Sequence, residues 1–250
     1  MRIYFPDNVF SRFLTAVIDK EESKEFIFEP SSILAKKLND NSHSAALIPT
    51  LELITNKDLY VSQSIGISFE GPLSNSFIYY EPGIKEINKI KLAGDISSME
   101  VILSKIIFKE LYDSDIEIAI QTKLDSNISG NHMIAGDENF NNARFEKGIG
   151  LAEEVIDLIS APFTSYVLAS NDKNLLEEYS SKLLPVLDKI EYSNSDFPDN
   201  YNLKSSEFIQ ENFNSITYKL EEQDIAGINE LLQLSYYHGL IKDLVEVNFV

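Results

Sequence analysis

The sequence contains no cysteine and has three histidines among its 250 residues. Without cysteine the chain can form no disulfide, no thiolate metal site and no cysteine nucleophile. The histidines, His43, His132 and His238, are far apart and lack the spacing that a histidine metal site needs. The sequence also has no glycine-rich phosphate loop and no nucleophile elbow. It therefore predicts no metal ligands and no phosphate-loop chemistry.

Basic residues are scarce. The chain has 21 lysines and arginines against 40 aspartates and glutamates, a formal net charge of −19. Nucleic acids and anionic membrane surfaces are bound through clustered Lys and Arg, so the charge argues against both as partners. A small anionic ligand is still compatible, but helix N-termini and hydroxyl groups would have to hold it. We therefore expect a small-molecule ligand, no nucleic acid and no membrane, with an unknown oligomeric state.

Long apolar runs are missing as well. No stretch approaches the ~20 apolar residues that a membrane span needs. The N-terminal segment Met1-Arg-Ile-Tyr-Phe-Pro6 reads as a first strand, and it lacks the basic end, apolar stretch and small-residue cleavage site of a signal peptide. These absences predict a cytoplasmic protein. Hydrophobic residues make up 44% of the chain, which is enough for a sizeable core.

Strand and helix patterns alternate along the chain. Apolar residues recur at helical spacing in residues 9–18, 99–111 and 151–159. Short apolar or alternating runs predict strands at residues 2–5, 45–48, 59–69, 89–92, 116–120 and 133–135. The C-terminal part is mostly helical in pattern, with predicted helices at residues 175–190, 206–216 and 224–240. This alternation predicts an α/β fold with mainly parallel strands.

Two extended segments, residues 76–80 and 164–169, flank a self-contained block of strands and helices. We interpret them as a pair of hinge strands that run side by side between two lobes. The predicted first domain is discontinuous and comprises residues 1–81 and 166–250, and the inserted second domain comprises residues 82–165. A ligand cleft is expected between the two domains.

Several short motifs together resemble one protein family. They are Ala45-Ala-Leu-Ile-Pro-Thr-Leu-Glu52, Ile65-Gly-Ile-Ser-Phe-Glu-Gly-Pro72, Ile134-Ala-Gly-Asp-Glu138, Ala161-Pro-Phe163 and Ile216-Thr-Tyr-Lys-Leu220. In this order and spacing the chain resembles the menaquinone-pathway branch of the type II periplasmic-binding-protein fold. That branch includes the chorismate dehydratase of the futalosine route and a later naphthoate synthase. The resemblance implies a two-lobed α/β fold with two crossover hinge strands, in which the last motif belongs to the terminal helices.

The resemblance implies a lyase that removes water from chorismate to form an enolpyruvyl-benzoate, without a cofactor. The Gly136-Asp137 form favours the dehydratase, because the synthase has Ile-His-Glu there and His132 lies five residues too early. Two segments depart from the family. The turn after the first strand reads Phe5-Pro-Asp-Asn8, and a Ser-Arg-Thr-Ser helix start is replaced by Ser97-Ser-Met-Glu100, whose glutamate would repel a carboxylate. The alternative is a diverged, non-catalytic binding protein of the same fold.

Candidate site residues follow from strand ends and helix starts. The resemblance implies that Asp137 orients a substrate hydroxyl and that Asn8 contacts the substrate. Hydroxyl groups suited to hold ligand carboxylates occur at strand ends and helix starts, at Ser31, Thr50, Ser76, Ser97 and Ser98. Each has an ordinary structural alternative, since serine and threonine also cap helices and stabilise turns, and a carboxylate can cap the segment that follows it.

Overall fold

A computed structural model describes residues 2–18, 26–83, 87–121, 130–192 and 201–250. In this part of the chain the strands form two separate sheets, and helices pack on each. We call each sheet with its helices a lobe. None of the helices in the described ranges combines the length and apolar character that a membrane crossing needs.

The first lobe contains a sheet of seven described strands. These are β1 (Arg2–Pro6), β2 (Phe26–Glu29), β3 (Ser44–Pro49), β4 (Tyr60–Phe69), β10 (Phe163–Ser170), β11 (Ile216–Lys219) and β12 (Asn248–Phe249). Their order is β11-β4-β10-β3-β1-β2, and β12 pairs with β4. The helices of this lobe are α1 (Val9–Ala16), α2 (Leu34–Asp40), α5 (Lys173–Leu187), α6 (Leu203–Asn212) and α7 (Glu222–Tyr237). Strand β10 is central and buried along its whole length, because α5 and α7 both pack on it.

The second lobe contains a sheet of five described strands. These are β5 (Ser76–Tyr79), β6 (Lys89–Gly94), β7 (Glu117–Ile120), β8 (His132–Ala135) and β9 (Ile149–Gly150), in the order β7-β6-β8-β5-β9. Its helices are α3 (Ser98–Tyr112) and α4 (Leu151–Ile159). Strands β6 and β8 are parallel neighbours, so their carboxyl ends lie at the same edge of the sheet. That edge faces the first lobe and positions the site.

Both sheets are mixed, so the prediction of mainly parallel strands is wrong. In the first sheet β10 runs antiparallel to β3 and β4, and in the second sheet β5 runs antiparallel to β8 and β9. An apolar run reports that a strand is buried on both faces, but it carries no information about strand direction. The α/β class itself is confirmed.

The predicted pairing of residues 76–80 with residues 164–169 is also wrong. Strand β5 belongs to the second sheet and β10 to the first, where β10 pairs with β4 through Phe69 and Phe163. The two strands that lie side by side where the chain passes between the lobes are therefore β4 and β10. The Gly71-Pro72 break explains the difference, because the chain leaves the first sheet there and Ser76 already starts the second. The domain boundaries given above stay a prediction.

One further segment differs from its expected structure. Residues 216–219 form strand β11 beside β4, although the resemblance implied that they belong to the terminal helices. The helix before them ends at Asn212. Isoleucine, threonine and tyrosine are good strand formers, so the local composition agrees with the observed strand.

Candidate functional site

Two aspartates follow the paired strands β6 and β8 at the edge that faces the first lobe. Asp95 comes directly after Gly94, and Asp137 comes directly after Gly136. Gly94 and Ala135 are register partners, and the backbone N–H of Asp95 donates to the Ala135 carbonyl at 2.9 Å. Open α/β sheets bind ligands at the carboxyl ends of their parallel strands. The two carboxylates therefore lie where a ligand is expected.

Asp95 of the second lobe binds Ser31 of the first lobe. Its carboxylate accepts the Ser31 N–H at 2.8 Å and the Ser31 hydroxyl at 2.5 Å. Burial raises the pKa of Asp95 above its ordinary value, while the two bonds from Ser31 act in the opposite direction. The Ser31 hydroxyl thus donates to an aspartate of the other lobe, and it does not cap a helix of its own.

Asp137 makes the corresponding contact with the start of helix α1. Its Oδ1 accepts the backbone N–H of Val9 at 2.9 Å. Asn8 is the N-cap of that helix, and its side-chain oxygen accepts the Ser11 N–H at 2.9 Å. Burial raises the pKa of Asp137 to about 6, although the Val9 bond, Tyr201 and Arg12 all lower it. The ionised carboxylate of Asp137 would interact favourably with the dipole of α1, but burial deprives it of hydration.

The Tyr166 hydroxyl lies at the centre of the contact between the lobes. It is 3.0 Å from the Ser31 Oγ, accepts Asn75 Nδ2 at 3.0 Å and lies 3.5 Å from Asn8 Nδ2. Because the Ser31 hydroxyl donates to Asp95, Tyr166 can donate to Ser31. A chain of hydrogen bonds then runs from Asn75 through Tyr166 and Ser31 to Asp95. The Asn75 Oδ1 is buried and has no hydrogen-bond partner among the described residues.

Glu100 occupies the start of helix α3 in the second lobe. Its carboxylate accepts the Ser97 N–H at 2.9 Å, the Ser97 hydroxyl at 2.7 Å and the Ser76 hydroxyl at 3.1 Å. Ser97 in turn caps the helix by accepting the Met99 N–H, which completes a capping box. Burial raises the pKa of Glu100. The donors at this helix start are therefore bound by a carboxylate of the chain itself.

Replacing Glu100 with alanine is expected to lower the free energy of unfolding by about 2–4 kcal/mol, because three buried donors lose their acceptor. Glu100→Gln keeps an acceptor oxygen at the same place and should cost about half as much. Urea denaturation of both variants measures the difference. Equal stability of Glu100→Ala and the unchanged protein would show that these bonds do not contribute.

The structure brings some of the predicted site residues together and separates others. Asn8, Ser31 and Asp137 meet at the contact between the lobes. Ser76 and Ser97 bind Glu100 within the second lobe, as described above. The Ser98 hydroxyl donates to Glu52 of the first lobe at 2.7 Å. The Thr50 hydroxyl is fully buried and donates to the Thr164 carbonyl at 2.6 Å, inside the first lobe.

Sequence reasoning missed Asp95, Asn75 and Tyr166. A signal for Asp95 was present, because Gly94-Asp95 ends a predicted strand in the same way as Gly136-Asp137 does. No comparable signal marks the other two. Tyr166 lies within an apolar run that indicates a core strand, and Asn75 lies in a polar turn.

Among the residues that the structure describes, no cationic side chain lies within ion-pair distance of the site carboxylates. None of the ion pairs among the described residues involves Asp95, Asp137 or Glu100. The described ranges also contain no group of three or more histidines, aspartates and glutamates that could hold a metal ion. The pKa of the Tyr166 hydroxyl is raised by burial and by the nearby Asp95 and Glu100. The centre of the site is thus rich in hydrogen-bond acceptors.

Comparisons with known proteins identify the fold. No protein-family model and no curated protein matches the sequence. Protein AF1704 from Archaeoglobus fulgidus is 13% identical, with a TM-score of 0.67 over 96% of this chain and 98% of its own. The periplasmic aliphatic sulphonate binding protein SsuA from Escherichia coli is 13% identical, with a TM-score of 0.59 over 99% and 95%. The alkanesulfonate-binding protein SsuA from Xanthomonas axonopodis pv. citri, bound to MOPS, is 14% identical, with a TM-score of 0.64 over 100% and 97%.

These likenesses extend over nearly the whole of each chain, and at such low identity they show the fold. The protein has a two-lobed fold of the type II periplasmic-binding-protein class, as the resemblance implied. The site lies at the contact between its lobes.

Proposed function

We propose that the protein is a small-molecule-binding protein whose interlobe cleft recognises a ligand without transforming it. The main observation behind this proposal is that Asp95 and Asp137 of the second lobe bind the donors of Ser31 and Val9 in the first lobe. A substrate carboxylate would need those same donors. The fold supports a ligand between the lobes, and two structures with this fold belong to proteins named for binding sulphonates.

Electrostatics favours this proposal over chemistry on an anionic substrate. An anion that entered between Ser31 and Val9 would have to displace two intramolecular carboxylates and would then lie beside them. Like charges at such distances raise each other's pKa values and oppose binding. Glu100 adds a third buried carboxylate at the start of α3, the position where the family resemblance implied hydroxyl groups.

The second candidate function is the dehydration of chorismate that the resemblance implies. One observation favours it: Asp137 lies at the Gly-Asp turn and has a pKa of about 6. Such a carboxyl group exchanges a proton near neutral pH, as general acid–base catalysis requires. In this mechanism the closed lobes exclude water, Asp137 orients a hydroxyl of the substrate and Asn8 contacts it.

Incubation with chorismate separates the two candidates. We expect the ring absorbance of chorismate to decay in the presence of the protein no faster than in a protein-free blank, and we expect no thermal stabilisation by chorismate. An Asp137→Asn variant serves as the matched control. If the unchanged protein accelerates the decay of chorismate and the variant does not, this result would contradict the binding proposal and support dehydration.

A further inference from the structure

Around Asp95 and Asp137, the two lobes have opposite hydrogen-bonding character. The first lobe presents donors, namely the Val9 N–H and both the N–H and the hydroxyl of Ser31. The second lobe presents the carboxylates of Asp95 and Asp137. We infer that the ligand class is a zwitterion that carries one ammonium group and one carboxylate, as a free amino acid does. This inference rests on the proposed function, because it names the ligand of the same cleft.

The hydrogen bonds that join the two lobes lead to this class. In the closed protein each donor of the first lobe is already bound by an acceptor of the second, at 2.5–2.9 Å. A ligand that enters between the lobes must bind both the donors of the first lobe and the carboxylates of the second, because a buried polar group that loses its hydrogen-bond partner destabilises the complex. A simple anion would satisfy Val9 and Ser31 and leave two carboxylates unpaired. A simple cation would do the reverse, whereas a molecule with both charges satisfies both sets of groups with charge-assisted hydrogen bonds.

A third acceptor in the cleft supports an ammonium group independently. Asn75 is 2% exposed, and its Oδ1 has no partner among the described residues. The same carboxamide donates through Nδ2 to the Tyr166 hydroxyl, which places it within the contact between the lobes. An ammonium group has three N–H donors. Asp95, Asp137 and the Asn75 oxygen provide three acceptors.

The two carboxylates would be stabilised by an added positive charge, although Arg12 already lowers the pKa of Asp137. Neither Asp95 nor Asp137 takes part in an ion pair among the described residues, and burial raises the pKa of both groups. A cation placed between them would favour their ionised forms.

The first experiment varies the ligand and leaves the protein unchanged. The full chain is screened by thermal unfolding against each of the common L-amino acids, and the affinity of each that stabilises it is measured by calorimetry. The N-acetyl derivative, which keeps only the negative charge, and the carboxamide derivative, which keeps only the positive charge, are then compared. We expect each derivative to bind about tenfold or more weakly than the parent amino acid, since each loses charge-assisted hydrogen bonds.

The second experiment varies the protein. Asp95→Asn and Asp137→Asn should each weaken binding of the amino acid about tenfold or more, whereas Asp115→Asn, an exposed carboxylate far from the cleft, should leave it unchanged. Equal binding of the parent and its N-acetyl derivative would overturn the zwitterion inference, as would amino-acid binding that neither cleft variant changes. Failure of every amino acid to bind would also overturn it. Turnover of chorismate, in contrast, would overturn the proposed function itself.

Discussion

Replacing Gly94 with alanine is expected to lower the free energy of unfolding by about 3–5 kcal/mol. Gly94 has φ +86°, and a Cβ at this position would lie 2.1 Å from the backbone carbonyl oxygen of Ala135 on the neighbouring strand. The neighbour is backbone, so it cannot move aside without separating β6 from β8. Asp95 is the next residue, so its bond to Ser31 should weaken as well. Urea denaturation followed by circular dichroism measures the loss of stability.

Gly83→Ala is the matched control for this prediction. Gly83 has the same φ of +86°, but no described atom lies within 4 Å of the Cβ that alanine would add. The variant therefore carries only the strain of a left-handed alanine, about 1–2 kcal/mol. If Gly94→Ala lowers the free energy of unfolding more than Gly83→Ala does, the difference measures the cost of the contact with Ala135. Equal losses would show that the backbone conformation, and not the close approach of the two strands, makes glycine necessary at position 94.

Replacing Asp137 with asparagine is expected to stabilise the protein at neutral pH. The pKa of Asp137 is about 6 in the folded protein, above the value of 3.8 for an unperturbed aspartate. A raised folded pKa means that its stabilising contribution is complete below about pH 4 and is lost as the pH rises through 6. Each pKa unit corresponds to about 1.4 kcal/mol, so asparagine should add up to about 3 kcal/mol at pH 7.5. Its side-chain oxygen can still accept the Val9 N–H.

Unfolding free energies from pH 4 to pH 8 test this prediction. We expect the curves of the two proteins to coincide near pH 4 and to separate between pH 4 and 7. Tyr201, Arg12 and Glu138, which also act on the pKa of Asp137, are present in both proteins, so the difference reports Asp137 alone. A variant that is less stable at pH 7.5 would mean that the ionised carboxylate stabilises the fold. A gain of stability together with weaker amino-acid binding would indicate that Asp137 serves function at the expense of stability.

The candidate site was only partly predictable from local patterns. Asp137 was identified because a Gly-Asp pair ends a short apolar run, and the same reasoning applied to Gly94-Asp95 would have identified the second carboxylate. Tyr166 could not be identified in this way, since its run indicates only a buried strand. The repulsion of a ligand carboxylate by Glu100 stays a prediction, and the structure shows that the serines of its own lobe bind the side chain.

The α/β class, the positions of most strands and helices and, through its motifs, the two-lobed fold could be predicted from the amino-acid sequence. These properties depend on hydrophobic periodicity and turn residues, which act over a few positions of the chain. Local patterns could not predict that β4 lies beside β10, that Asp95 binds Ser31 or that Asp137 binds Val9. The last two contacts join residues 64 and 128 positions apart, on different lobes. Such partners are set by how the lobes pack against each other, because a carboxylate binds whichever donor the fold brings within about 3 Å of it.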